Sequence, residues 1–396
     1  MYSADTYKLI NPVKIYLICA GKYRIPPANK KLSMLYKVYS IFIQLSFITF
    51  CLSVWPEFLR LVIQRYDTEI LISSFVIVIN CIKILIKLLI FQKNKVLDFF
   101  YDVIKKEEDL WECFDEPDIK SFYIRKFSEY KKFILVQALL TLLAGFVFQI
   151  TGLVNNLHII AYNQAHNTTL ELRYGYQLWL PFNKLDHMFV FYLLQIQFTW
   201  AASILYCMMN LIVSALLIIE AMQLEIFQIR VRNFIPPNES NWIMEPKVLE
   251  LKKLIKEHQD LIRVGEHLNK CIKNIVFMEY ILGSSDIASA VVTLTKSEGV
   301  DNMGRQLILI ILLSIQIFIL AWNTNEVKIQ SEGIADAVFQ SNWFMLNKEG
   351  TQLTQVLIER AQKPLVITIG PFGAMTTESA LTIIRAAYSY VSIMRQ

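Results

Sequence analysis

The stretch MFVFYLLQIQFTWAASILYCMMNLIVSALLI, residues 188–218, contains no charged side chain. A helix of about 20 apolar residues is long enough to cross the hydrocarbon core of a membrane, so this stretch predicts a transmembrane helix. The helical pattern continues through EAMQLEIFQIRVRNF until Pro236 and Pro237, where a helix ends because proline lacks the backbone donor. The predicted helix is therefore longer than a membrane is thick.

The rest of the chain is also predominantly apolar. The 396 residues are 55% hydrophobic and only 18% charged, with a mean hydropathy of +0.40, whereas soluble domains carry about 25% charged residues. We therefore predict an all-α membrane protein with seven transmembrane helices. The six other predicted spans are 35–54, 69–91, 133–154, 275–295, 306–323 and 366–394.

Lysine and arginine are distributed unevenly between the spans. Of the 39 such residues, 28 lie in four alternate segments, 1–34, 92–132, 219–274 and 324–365. Positive residues near spans are retained in the cytoplasm, so we predict a cytoplasmic N-terminus and an extracellular C-terminus. This orientation is opposite to that of G-protein-coupled receptors. It places the glycosylation sequon at Asn167 outside the cell and the one at Asn238 inside.

Helical periodicity extends beyond the membrane. In KVLELKKLIKEHQDLIRVGEHLNKCIKNI, residues 247–275, apolar residues recur at steps of three and four between charges, which predicts an amphipathic helix running directly into the fifth span. Together with the extension of the fourth span and IADAVFQSNWFML, residues 334–346, it predicts a helical bundle on the cytoplasmic side.

Motifs for covalent or metal chemistry are missing from the sequence. The five histidines and six cysteines have no metal-binding spacing, and there is no Gly-rich nucleotide motif or hydrolase signature. We therefore expect neither an enzyme nor a metal or other cofactor. The positive residues between spans are explained by membrane topology, so no nucleic-acid partner is expected.

Lys83, Lys87, Glu279 and Asp286 are among the charged residues inside predicted spans. Lys83 and Lys87 are one turn apart in the second span, and we expect their long side chains to carry the ammonium groups to the membrane interface. Glu279 and Asp286 share one face of the fifth span, where a packed polar seam and a water-lined cavity are both compatible with the sequence.

Aromatic, small and isolated polar residues concentrate in the outer halves of spans two to five. Such residues suit a pocket for a small apolar ligand, although helix packing alone also explains each one. The candidate ligand-binding residues are Phe75, Phe146, Gln149, Gly152, Phe191, Tyr192, Gln195, Thr199, Ser285 and Ser289.

A polar stripe runs along the last span. Its members recur at steps of three and four and so lie on one helix face: Glu378, Thr382, Arg385, Ser389, Ser392 and Gln396. The stripe could pack against the other helices of the chain, or it could line a central water path in a symmetric assembly. The periodicity leaves both possibilities open.

Three stretches near the C-terminus resemble insect odorant receptors: QSNWFML at 340–346, RAQKPLVITIGPFGAMTTES at 360–379 and AAYSYVSIMRQ at 386–396. LWLPFN at 178–183 is also similar, while the first 150 residues agree mainly in hydropathy and spacing. Gustatory receptors, the nearest alternative, tend to end in a TY-hydrophobic-QF pattern that differs from AYSYVSIMRQ. A G-protein-coupled receptor is a further alternative, which the charge distribution disfavours.

The resemblance implies an odorant-gated, non-selective cation channel in the plasma membrane of an olfactory sensory neuron. This chain would be the tuning subunit of a heterotetramer with the shared co-receptor, surrounded by membrane lipid and binding a small volatile apolar ligand. The implied segments are an N-terminal cytoplasmic segment, six spans with the ligand pocket, and a split last helix made of a cytoplasmic anchor part and a pore-lining part: 1–34, 35–323, 324–365 and 366–396. The resemblance places Ile393 at the pore constriction, with Ser389 and Gln396 on the same face.

Overall fold

The computed structural model describes residues 9–24, 30–66, 68–112, 117–168, 174, 176–184, 186–235, 244–296 and 300–394. Ten α-helices follow one another in these ranges: α1 Asn11–Cys19, α2 Lys30–Ile63, α3 Thr68–Lys93, α4 Val96–Glu112, α5 Pro117–His166, α6 Met188–Asn233, α7 Met244–Lys296, α8 Val300–Gln340, α9 Lys348–Ala361 and α10 Thr377–Met394. The predicted all-α class is confirmed.

Each of the seven predicted spans lies on a different long helix. Within the described residues, α2, α3, α6, α7 and α8 are long and apolar enough to cross a membrane. The spans predicted at 133–154 and 366–394 fall on α5 and α10. The last span was predicted to begin too early, because residues 366–376 are not helical and α10 begins only at Thr377.

Helix α6 is the centre of the bundle. Its residues are buried on all sides from Ala201 to Leu205 and again from Leu211 to Leu217, and it packs most extensively against α8 and α5. A helix that is apolar around its whole circumference is stable only when other helices cover it. Helices α2, α3, α5, α7 and α8 pack around α6 and leave their outer faces, rich in exposed Leu, Ile and Phe, for lipid.

Helices α6 and α7 are much longer than a membrane crossing requires. They contain 46 and 53 residues, against about 20 for one crossing. In the first half of α7, Leu251, Leu261 and Leu268 are buried while Lys252 and Lys253 are exposed. The predicted amphipathic helix running into the fifth span is therefore confirmed.

The connection between α9 and α10 is a short hairpin. The Ile369 amide donates to the Gly373 carbonyl at 2.7 Å, and the Met375 amide donates to the Ile367 carbonyl at 2.8 Å. Gly370 and Gly373 have φ values of 50° and 104°. These are backbone conformations that residues with a Cβ adopt only with strain. We call this segment the 367–375 hairpin.

Contacts with both α7 and α8 attach the 367–375 hairpin to the bundle. The Thr324 hydroxyl in α8 lies 3.0 Å from the Met375 carbonyl, and the Phe277 ring in α7 stacks on Phe372 with centroids 5.8 Å apart. The hairpin therefore fixes the start of α10 against both α7 and α8.

Candidate ligand-binding site

A cavity of about 180 Å³ lies among α3, α5, α6, α7 and α8. Its apolar wall includes Phe50, Ile77, Ile84, Leu309 and Leu313. An engineered apolar cavity of about 150 Å³ is large enough to bind benzene. The space therefore suits an organic molecule of roughly the size of a substituted six-membered ring.

Several hydroxyl groups on the cavity wall are already hydrogen-bonded to their own helices. Ser73, Thr141, Thr199 and Thr293 each donate to a backbone carbonyl three or four residues earlier, at 2.8 to 3.0 Å. Because their protons are used in this way, these side chains offer a ligand acceptor oxygens rather than donors, and the three threonines also offer methyl groups.

An ion pair lies on the cavity wall between α3 and α7. The Lys83 ammonium is 2.9 Å from Oδ2 of Asp286, and each residue is only 3% exposed. Asn80, one turn earlier on α3, donates from Nδ2 to Oδ1 of Asp286 at 3.1 Å. All three residues line the cavity, so its surface carries a charged donor beside a charged acceptor.

A second ion pair extends this cluster away from the cavity. Lys87 is hydrogen-bonded to Glu279, and its ammonium also donates to the Asn210 side-chain oxygen at 2.6 Å. The Tyr206 hydroxyl donates to Glu279 Oε2 at 3.1 Å. Two lysines thus face two carboxylates, and the cluster is formally neutral.

This arrangement corrects the sequence-based interpretation of the lysines. Lys83 and Lys87 do not extend to the membrane interface, because both are buried and pair with carboxylates on α7. Of the two environments considered for the carboxylates, Asp286 lines a cavity whereas Glu279 belongs to a packed polar seam.

The candidate ligand-binding residues are distributed over the cavity wall and its surroundings. Thr199 and Ser289 line the cavity. Gln195, one turn from Thr199, donates to the backbone carbonyl of Tyr176 at 3.0 Å, and Tyr176 lines the cavity. Phe191 is fully buried, with its ring centroid 4.7 Å from that of Tyr174.

The remaining candidates lie outside the cavity lining. Tyr192 accepts a hydrogen bond from Asn156 at 2.9 Å, and Phe75 is 47% exposed and packs against Phe58. The others lie on α5 or α7, where two are buried and two half-buried: Gln149, Gly152, Phe146 and Ser285.

Composition failed to single out several residues of the cavity wall. Phe50 and Tyr176 line it from α2 and from the loop before α6, and neither segment has a local pattern that would have pointed to them. The charged pair could have been suspected, since the sequence places Lys83 and Asp286 in different spans and charges inside membranes pair with one another.

The polar stripe of α10 points away from the rest of the chain. Glu378, Thr382, Arg385 and Ser389 are exposed, as are their neighbours Leu381 and Ile384. Ala380 and Ile383, on the other side of the helix, are buried against the bundle. For these four residues, packing against the chain's own helices is excluded. The side chains of Ser392 and Ile393, and Gln396 as a whole, lie outside the described part of the chain.

The predicted glycosylation site is near the end of α5. Asn167 follows directly after His166, the last residue of that helix, and its side chain is exposed. A glycan could therefore be attached there without disturbing the bundle. Asn238 lies outside the described residues.

Comparison with known proteins gives consistent matches. A family model described as 7tm Odorant receptor matches residues 67–388. Odorant receptor 10 of Aedes albopictus is 30% identical over 148 residues, which are 37% of this chain and 40% of that protein. Odorant receptor Or2 of Anopheles gambiae is 28% identical over 147 residues, 37% and 39% of the two chains. The aligned part thus spans about two fifths of these relatives.

The fold matches over nearly the full length. The insect olfactory receptor OR5 from Machilis hrabei superimposes with a TM-score of 0.77 at 13% identity, covering 99% of this chain and 98% of that one. The same receptor in complex with eugenol gives a TM-score of 0.69 at 16% identity, covering 98% of each chain.

Proposed function

Because the chain belongs to the insect odorant receptor family, we propose that it is the tuning subunit of an odorant-gated, non-selective cation channel. The channel would be a heterotetramer with the family's shared co-receptor, in the plasma membrane of olfactory sensory neurons. The main supporting observation is the cavity of about 180 Å³ inside the helical bundle, which has the size and apolar walls that a small volatile ligand requires.

Ligand binding in this cavity would act through a conformational equilibrium. A ligand shifts that equilibrium only as far as its affinities for the closed and open states differ. Helix α7 lines the cavity with Asp286 and also contacts the 367–375 hairpin that leads into α10. A change in the cavity therefore has a direct mechanical connection to the last helix.

The exposed stripe of α10 supports a role for this helix in a central pore. Polar side chains at membrane depth persist where they face water or protein, and those of Thr382 and Ser389 face away from their own bundle. We propose that the segment from Thr377 onward lines the pore, whereas the 367–375 hairpin before it packs on α7 and α8. We further propose that residues 324–365 belong to the anchor, and that Ile393 forms the constriction with Ser389 and Gln396 nearby. The orientation proposed from the charge distribution puts this constriction on the extracellular side.

The decisive experiment is whole-cell recording from cells that express this chain with and without the co-receptor, while G-protein signalling is blocked. We expect odorants to evoke a rapid cation current that requires the co-receptor and survives the block. A current abolished by the block would favour a G-protein-coupled receptor. A current evoked only by non-volatile tastants would favour the gustatory alternative.

A cavity-filling variant tests whether the ligand binds where we propose. Ser289→Phe places a ring into the cavity, and we expect it to abolish the response to small odorants at unchanged surface expression. Ile281→Phe, on the same helix at a side chain 41% exposed, is the matched control and should respond normally. Equal responses of the two variants would contradict this location of the ligand.

A further inference from the structure

The cavity wall contains a charged pair whose purpose is not explained by apolar ligand binding. Lys83 and Asp286 both line the cavity and lie 2.9 Å apart. An ion pair in a membrane-spanning bundle is expensive to keep dehydrated. The following inference rests on the proposed function, because it concerns the ligand of the same cavity.

Both members of the pair retain hydrogen-bonding capacity. The ammonium of Lys83 has three donors, and one is used by Asp286 Oδ2. The ammonium also lies 4.0 Å from Glu279 Oε2, which is beyond hydrogen-bonding distance, and 5.1 Å from the centroid of the Tyr206 ring. The carboxylate of Asp286 can accept about four hydrogen bonds, and Lys83 and Asn80 supply one each. A ligand at this position can therefore meet a free donor and a free acceptor side by side.

A hydroxyl group is the simplest chemical group that matches this arrangement. Its oxygen accepts one hydrogen bond and donates another, so a single atom can bridge the ammonium and the carboxylate. An aldehyde, ketone or ether can only accept, and a hydrocarbon can do neither. A ligand that lies against the pair and satisfies only one of the two groups leaves the other without a hydrogen bond, and so binds more weakly.

The charges of the cluster disfavour ionised ligands. Lys83 and Lys87 are balanced by Glu279 and Asp286, so an additional carboxylate or ammonium would leave an uncompensated charge inside the bundle. The polar end of the ligand must therefore be uncharged.

We propose that the Lys83–Asp286 pair is the specificity-determining element of the cavity and selects small uncharged alcohols or phenols. The hydroxyl group bridges the two side chains, and the hydrocarbon part lies against Ile77, Leu309 and Leu313. The volume of about 180 Å³ limits the hydrocarbon part to roughly a substituted ring or a short chain.

The test compares compounds that share a carbon skeleton, using the full chain expressed with the co-receptor. Benzyl alcohol, benzaldehyde and toluene form one set, and hexan-1-ol, hexanal and hexane form a second. We expect each alcohol to activate at concentrations about tenfold or more below those of its aldehyde and hydrocarbon, because hydrogen bonds to charged groups contribute at this level. Equal potencies within both sets would overturn the proposal.

Variants then assign any preference to the pair. Lys83→Met with Asp286→Leu removes both charges together, so no buried charge is left unpaired. In this double variant we expect each alcohol and its hydrocarbon to activate at about the same concentration, with toluene still active. Lys83→Gln with Asp286→Asn retains a donor and an acceptor and should keep part of the preference. Ile281→Ala, at an exposed position on α7, is the control and should keep all of it.

The ratio of potencies separates recognition from a merely structural role. A pair that only held α3 to α7 would change surface expression and maximal current but leave the alcohol-to-hydrocarbon ratio unaltered in surviving channels, and that result would overturn the proposal. If odorants of other classes activate the intact channel while both alcohol sets are inactive, this inference is wrong and the proposed function stands. If no odorant of any class evokes a co-receptor-dependent current, the proposed function fails and this inference fails with it.

Discussion

Asn269 on α7 accepts two hydrogen bonds from Thr368 in the 367–375 hairpin: one from the backbone N–H at 3.0 Å and one from the hydroxyl at 3.2 Å. The two residues connect the helix that carries Asp286 to the segment that leads into α10. This link is polar, short and directional, so it holds α7 and the hairpin in one relative position.

Removing the acceptor should weaken this link. Asn269→Ala leaves the two Thr368 donors without their partner, at a cost of about 1–3 kcal/mol. We expect concentration–response curves shifted to higher odorant concentration, or a smaller maximal current, at similar surface expression. Asn269→Asp keeps an acceptor oxygen and should behave more like the wild type. Indistinguishable currents from wild type and Asn269→Ala would contradict a coupling role.

Because Gly373 has a positive φ, adding a single methyl group at this residue should lower the stability of the hairpin. No atom lies within 4 Å of the position that a Cβ would occupy, but φ is 104°, so Gly373→Ala should destabilise the hairpin by about 1–2 kcal/mol through backbone strain alone. Gly304→Ala on α8 also meets open space without this strain, and should be neutral or slightly stabilising. Thermal unfolding of the purified variants would compare them.

Losing one partner of the Lys87–Glu279 ion pair should reduce folding and surface expression more than removing both charges does. Lys87→Met removes the hydrogen-bonded cation of buried Glu279 and leaves only Lys83, 4.0 Å from its Oε2. The loss of one partner of a buried ion pair costs about 3–5 kcal/mol. We expect little of this variant at the cell surface, measured by biotinylation. Adding Glu279→Gln removes the unpaired charge, keeps an acceptor for the Tyr206 hydroxyl and should restore expression. A double variant as poorly expressed as the single one would argue against this explanation.

Glu107 on α4 should make stability depend on pH. Burial raises the pKa of this carboxyl from 4.5 to about 7, although the Gln223 hydrogen bond and nearby Lys106 oppose the shift. The folded state therefore holds the proton more tightly than the unfolded state. The stability that this group contributes is fully present below about pH 4.5 and is lost as the pH rises through about 7.

Glu107→Gln imitates the protonated group at every pH. We expect the variant to exceed the wild type in unfolding free energy by up to roughly 3 kcal/mol at pH 8, with the difference shrinking toward pH 5. Denaturation of detergent-solubilised protein over this pH range would measure it. Asp102→Asn, on the exposed side of the same helix, controls for the loss of a charge. A constant difference between wild type and Glu107→Gln would contradict the shifted pKa.

Cysteine accessibility tests the exposed face of α10. Thr382→Cys and Ser389→Cys place thiols on this face, whereas Ile383→Cys places one against the bundle. If the stripe lines a water path, a charged thiosulfonate reagent should reduce the current through the first two variants and spare the third. Reaction of none of them in the open channel would indicate that this face contacts lipid or protein.

Hydropathy was sufficient to locate the long apolar helices, because a membrane leaves the backbone few alternatives, but it did not indicate α1 or α4. It was misleading at the start of the last span, where VITIGPFGAM is apolar but forms the 367–375 hairpin. Ile367, Ile369 and Met375 of this stretch are buried in the protein. Hydropathy contains no information about the positive φ values that Gly370 and Gly373 supply.

The cavity was only partly accessible from sequence. Composition selected Thr199 and Ser289, which line it, together with Phe75, which lies on an exposed face. In a membrane protein both the lipid-facing surface and an odorant pocket are apolar. Composition therefore cannot distinguish a side chain that faces lipid from one that faces the pocket. The partners Lys83 and Asp286 are 203 residues apart in the chain, and a single sequence does not give the rotation of one helix against another.

Helix α7 is unbroken between Asn269 and Asp286. It therefore fixes the directions in which the two residues point around the helix axis, as well as their separation of about 26 Å along it. Inserting or deleting one residue between them would rotate one contact by about 100° relative to the other. Either the carboxylate would leave the cavity or the amide would leave the hairpin. Substitutions in this stretch can therefore be tolerated where changes of length cannot, and receptors that use the same pair of contacts must keep the same spacing between them.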